Sequence, residues 1–171
     1  MYIPTKQAGA ALVVCLVLML LLTVISANAL RSTTLQERMA GNERDTLAAF
    51  QAAEAGLRAA EQLLESSATL SFNGSGGLFS FCDDANQTKC NPPDWGDRSA
   101  TNWRAVTSFS SALDSDPQFY IEEYGELSTK VASLAADAPP ETFTMYRITA
   151  RGFGLSDSSM VVLRAFYRRK Q

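Results

Sequence analysis

The longest unbroken apolar run in the chain is Ala10–Leu30, which contains no Asp, Glu, Lys or Arg. About 20 such residues in a helix cross a hydrocarbon layer roughly 30 Å thick, and a helix satisfies its own backbone in that solvent. No Pro or Gly ends the pattern at Leu30. From there Leu35, Met39, Thr46, Phe50, Ala53, Leu57, Ala60 and Leu64 recur at steps of three, four or seven, which is one stripe of a helix. The other face carries Arg44, Gln51, Glu54, Arg58, Glu61 and Glu65, with Glu54 and Arg58 in the favourable i,i+4 order. One helix over residues 10–66 would run about 85 Å at 1.5 Å per residue. Its weak spot is Gly41-Asn42, since glycine in a helix interior costs about 1 kcal/mol relative to alanine. A bend or loosened turn is one expectation there, a tolerated glycine on a packed face the other.

Past Ser66 the period changes. Ser71–Gly77 is small and aperiodic, a loop signal that continues through the Cys82–Cys90 segment and Asn91–Gly96. Gln118–Tyr124 is rich in β-formers and predicts a strand, while Pro139-Pro140 makes Ala132–Pro140 a loop. Phe143–Arg151 and Met160–Tyr167 alternate with period two around the Gly152–Ser159 turn, the pattern of an antiparallel hairpin. Tyr146, Ile148 and Ala150 share one face of the first strand. Val161, Leu163, Ala165 and Tyr167 share one face of the second. The predicted fold is α+β: a long N-terminal helical spine packed on a small antiparallel sheet through the Phe50–Leu64 stripe. Arg168-Arg169-Lys170 is expected to be a solvated tail, with a lipid-headgroup contact as the alternative.

Composition narrows the chemistry. The 171 residues carry a formal charge of −3 with acids and bases interspersed, without the basic face that nucleic-acid binding needs. There is no histidine, which excludes Ser-His-Asp and Cys-His arrangements. Glu122 and Glu123 are adjacent in a predicted strand and so point to opposite faces, which disqualifies them as a carboxylate dyad. Asp83, Asp84, Asn86, Asp94 and Asp97 cluster in one loop. Their spacing is not that of an EF-hand, and turns favour these residues anyway. Neither a cofactor nor a metal site is predicted. Cys15 lies inside the apolar run as a small hydrophobe. Cys82 and Cys90 read best as a disulfide in an oxidising compartment. Free thiols and a zinc site are the alternatives, the latter short of two ligands.

Two processing sites compete. Ser26–Ala29 resembles a signal-peptidase site, but cutting there would remove the front of one continuous helix. Cutting between Gly9 and Ala10 would keep it. Lys6 ahead of the run and Arg31 behind it give a weak positive-inside signal, with the N-terminus cytoplasmic and the domain across the membrane. The resulting divisions are 1–9 leader, 10–30 transmembrane or filament-core helix, 31–66 amphipathic continuation and 67–171 periplasmic globular domain.

Gly9-Ala-Ala-Leu-Val-Val14, Leu35-Gln-Glu-Arg-Met-Ala-Gly-Asn-Glu-Arg44 and Phe50-Gln-Ala-Ala-Glu-Ala-Gly-Leu-Arg58 resemble the PilX group of type IV pilus minor pilins. The resemblance implies cleavage after Gly9 by a prepilin peptidase and N-methylation of Ala10. It also implies entry into an inner-membrane assembly complex, with other minor pilins, the major pilin and a tip adhesin as partners. Most pilins have Glu at the fifth mature position, where this chain has Val14. In those relatives the carboxylate is thought to meet the N-terminal ammonium of a neighbouring subunit. A subunit with no neighbour above it gains nothing from a carboxylate that lipid makes costly, so Val14 points to the filament tip. The competing readings are a minor pseudopilin of type II secretion and a membrane-anchored periplasmic scaffold unrelated to filaments. An enzyme is the least supported class.

Overall fold

The computed structural model describes residues 9–66, 69–82, 88–107, 109–129 and 141–170. The expected leader residues ahead of Gly9, the loop residues Asp83, Asp84 and Asn86, and the expected loop Ala132–Pro140 lie outside them. The chain divides into two units, Met1–Glu43 and Arg44–Gln171. One helix, α1 (Ala10–Ser66), belongs to both. It continues through Gly41 and Asn42, and a Cβ at Gly41 would meet nothing within 4 Å. Packing within the chain therefore does not call for glycine there.

In the second unit five strands follow: β1 (Leu78–Ser80), β2 (Arg104–Ala105), β3 (Gln118–Thr129), β4 (Glu141–Phe153) and β5 (Met160–Lys170). A 3-10 turn, Thr88–Cys90, lies between β1 and β2. The order is β1-β3-β4-β5, with β2 paired to β3. The predicted hairpin is β4–β5, and the third predicted strand, β3, pairs antiparallel to β4. The sheet is mixed rather than purely antiparallel, because β1 joins β3 in parallel. Three-residue β1 and two-residue β2 have no period to display, and only β3 makes them strands. β3 also runs five residues further than its β-rich core, past a register shift at Gly125, whose φ of 97° suits glycine. Arg168, Arg169 and Lys170 are not a tail. They are paired in β5 opposite Met145, Thr144 and Phe143.

The faces of β3 and β4 alternate as predicted. Register pairs Phe119 with Ala150, and Ile121 with Ile148. Together with Tyr146, Leu78, Ala60 and Leu64 these form the core between helix and sheet. The helical face that packs there keeps Ala53, Leu57, Ala60 and Leu64 of the predicted stripe and is widened by the small residues Ala49, Ala52 and Gly56, while Phe50 drops out of it. Ala49, Ala52, Ala53, Gly56, Ala60 and Leu64 are buried, while Phe50 is 40% exposed. The reason is close approach. A Cβ at Gly56 would stand 3.1 Å from the Ala150 Cβ, and one at Gly152 would strike the backbone of Ala49 and Ala53. Large side chains would hold helix and strand apart, so hydropathy alone picks the wrong edge of the stripe.

Candidate functional site

Along the N-terminal half of α1 the large apolar side chains are exposed. Leu12, Val13, Val14, Leu16, Val17 and Leu18 are all at least half exposed, and the same holds from Met19 to Ile25 for the large apolar residues. Among the described residues this is the helix long and apolar enough to cross a membrane. The hydroxyls within the apolar run bond back to their own helix. Thr23 Oγ1 donates to the Leu20 carbonyl and Ser26 Oγ to the Leu22 carbonyl, both at 2.8 Å. Thr33 does the same to Ala29 at 3.1 Å. Each donor is thereby satisfied on its own helix, which an apolar surrounding requires.

The predicted processing residues stand at the start of this helix. α1 begins at Ala10, and Gly9, exposed just before it, offers its carbonyl to the Val13 N–H at 3.5 Å. Ala10 and Val14 are one turn apart and therefore on the same face. The structure brings Gly9, Ala10 and Val14 into one turn. Cys82 and Cys90 are joined in a disulfide that ties the end of β1 to the 3-10 turn, and Cys15 is free. Asp94 and Asp97 each serve a turn of their own. Asp94 accepts the Gly96 N–H at 2.9 Å. Asp97 accepts the Ser99 N–H at 2.8 Å and its hydroxyl at 2.7 Å. The Ser99 hydroxyl bond is the main cause that lowers the Asp97 pKa. The predicted Glu54–Arg58 pair forms at 3.5 Å.

Sequence reading missed the second face of the sheet. Gln118 and Arg151 are register partners, and so are Glu122 and Arg147. Arg151 is 1% exposed. Its Nε donates to Gln118 at 2.9 Å, and its guanidinium nitrogens donate to the Asp97 and Arg98 carbonyls at 2.6 and 3.4 Å. Its guanidinium lies 4.1 Å over the Trp103 ring. Burial is the leading cause that lowers its pKa. This arginine fastens the loop around Trp103 onto the sheet. Arg147 grips Glu122 through two 2.6 Å bonds, and that pairing is what raises the Arg147 pKa. The sequence signal was the alternation of Arg147, Thr149 and Arg151 on the strand face away from the core.

A second tie, also unforeseen, joins α1 to the β4–β5 turn. The Asp45 carboxylate accepts the Leu155 N–H at 2.5 Å and takes the Ser156 hydroxyl as well. Gly154 lies so close that a Cβ there would strike Asp45.

Comparison with known proteins gives two matches. A family model described as PilX N-terminal matches residues 8–58, and one described as Type IV pilus assembly protein PilX C-term matches residues 79–169. No curated protein and no solved structure matches the chain.

Proposed function

Since the chain belongs to the PilX family and is thus a type IV pilus assembly minor pilin, we propose that it is cleaved after Gly9, N-methylated on Ala10, and helps prime pilus assembly. Its helix first anchors it in the bacterial inner membrane as a single span, with the Arg44–Gln171 unit in the periplasm. It then packs among the helices of the other minor pilins and the major pilin, and the subunit leaves the membrane with the fibre. The observation that carries this reading is the bare apolar half of α1, which is continuous with the helix at the core of the second unit. Lipid and a bundle of helices are similarly apolar, so helix transfer between them is nearly balanced, and close packing then decides. Ala10, Ala11, Ser26, Ala27 and Ala29 supply small positions for that packing.

Val14 supports a place at the fibre tip, beside an adhesin, where no neighbour above offers an ammonium to a carboxylate. Prepilin peptidase is the partner required for maturation. Intact-mass spectrometry of the chain from inner membranes tests the reading. The expected product starts at N-methyl-Ala10. A chain starting at Met1, or one starting downstream of Leu30, overturns it. Deletion of the protein is expected to reduce surface pili and twitching motility together.

A further inference from the structure

We propose that the outer edge of β5 is an interaction surface that accepts an extended segment of another polypeptide as an added strand, one whose side chains alternate acidic and apolar. β5 stands at the end of the β1-β3-β4-β5 order, and among the described residues no strand lies beyond it. It is 11 residues long, contains no proline, and is paired with β4 from Met160 to Lys170. A long edge of this kind presents a row of backbone donors and acceptors to any chain that can lie alongside. The other side of the sheet ends in short β1 and β2.

The two faces of β5 define the partner. Away from the helix stand Arg164, Phe166 and Arg168, all exposed, Phe166 by 64%. Among the described residues neither arginine has a carboxylate. Arg164 Nε donates to the Thr149 hydroxyl at 3.3 Å, and the Arg168 guanidinium lies 5.1 Å over the Phe143 ring. On the helix side Val161, Leu163 and Ala165 are half-buried, and Tyr167 donates its hydroxyl to Glu65 at 3.2 Å. An added strand therefore extends an apolar layer with one set of its side chains. With the other set it sets carboxylates beside Arg164 and Arg168, the favourable cross-strand arrangement. β5 contains four basic residues and no acid, in a chain whose net charge is −3. A second copy pairing through its own β5 would bring arginines opposite arginines, so the occupant is a different polypeptide.

The test uses the full chain in phosphatidylcholine nanodiscs and two fluorescent peptides, one alternating Glu and Val, the other Lys and Val, read by anisotropy. The Glu-Val peptide is expected to bind at least about tenfold tighter, since attraction turns to repulsion at two positions. The Arg164→Glu/Arg168→Glu chain is expected to reverse that preference, which a misfolded domain would not do. N-methylating the peptide backbone is expected to abolish binding. Equal affinity for both peptides, absence of binding, or undiminished binding of the N-methylated peptide overturns the proposal. So does a charge-reversed chain that self-associates without changing its preference, because the arginines would then only keep the edge from aggregating. Loss of peptide binding in phosphatidylglycerol nanodiscs would assign the strand to lipid headgroups and overturn it too.

Discussion

The Asp45 carboxylate holds Ser156: it accepts the Ser156 backbone N–H at 3.2 Å and the Ser156 hydroxyl from across the β4–β5 turn. The Ser156 hydroxyl, then Ser159, then the two backbone amides lower the Asp45 pKa. A carboxylate whose folded pKa lies below its unfolded value stabilises the fold fully above the unfolded value. That contribution disappears as pH falls through the folded one. Asp45→Ala is therefore expected to lower the thermal midpoint at neutral pH, with the gap to the unchanged chain closing as pH falls below the aspartate range. Circular dichroism melts across pH check it, and a gap that stays constant into acid would show that the charge of Asp45 is not what matters.

Gly152 is the point where β4 touches the helix backbone. Gly152→Ala places a methyl against the Ala49 carbonyl and the Ala53 amide, neither of which is a flexible side-chain end. We expect a loss of about 3 kcal/mol, the upper part of the usual overpacking range. Gly41→Ala is the control, because nothing stands within 4 Å of its Cβ. It is expected to gain about 0.5–1 kcal/mol from helix propensity. Urea midpoints of the two variants in detergent should move in opposite directions.

Arg151 fastens the Asp97–Trp103 loop, and lysine cannot replace it, having neither the planar fork nor the stacking surface. Arg151→Lys and Arg151→Ala are both expected to destabilise the unit by about 2–4 kcal/mol, since the Asp97 and Arg98 carbonyls and Gln118 lose their donor. The loop should loosen with it. Red-shifted tryptophan emission with unchanged far-ultraviolet dichroism would report that Trp103 has left the sheet while the strands remain.

The parts of this fold legible in the sequence are those whose signal is periodic. Tyr146, Ile148 and Ala150 against Arg147, Thr149 and Arg151 is a period of two that needs no partner to be seen. The Ala10–Leu30 run needs only its length. Phe50 was misplaced because burial here follows shape: Ala49, Ala52 and Gly56, outside the predicted stripe, let the backbones approach, and a scale that rewards large apolar side chains ranks them below Phe50. β1 is three residues whose strand partner lies far along the chain. The Arg151–Trp103 stack and the Asp45–Ser156 tie are likewise contacts between distant segments, written in single polar residues that resemble ordinary surface positions until the chain is folded. Cys82 and Cys90 were readable because two thiols so close in sequence, without two further metal ligands of the right type nearby, are most simply paired with each other.

Ala10 and Val14 share a face of the first helical turn, so a carboxylate at position 14 would sit one turn from the ammonium that the proposed cleavage after Gly9 would expose. In lipid that carboxylate carries a desolvation cost, and it is worth having only where a neighbouring subunit supplies a positive charge. A subunit inside the shaft has such a neighbour and a subunit at the tip has none. If the proposed place at the tip holds, Val14→Glu is thus expected to shift the protein from fibre ends into the shaft and to lower the number of pili per cell, because the proposed priming complex forms less readily around it. Immunogold labelling of the domain with counts of surface pili measures both. Unchanged labelling at fibre ends together with unchanged piliation would remove Val14 as an argument for the tip. It would leave the mass of the processed chain as the independent check on maturation.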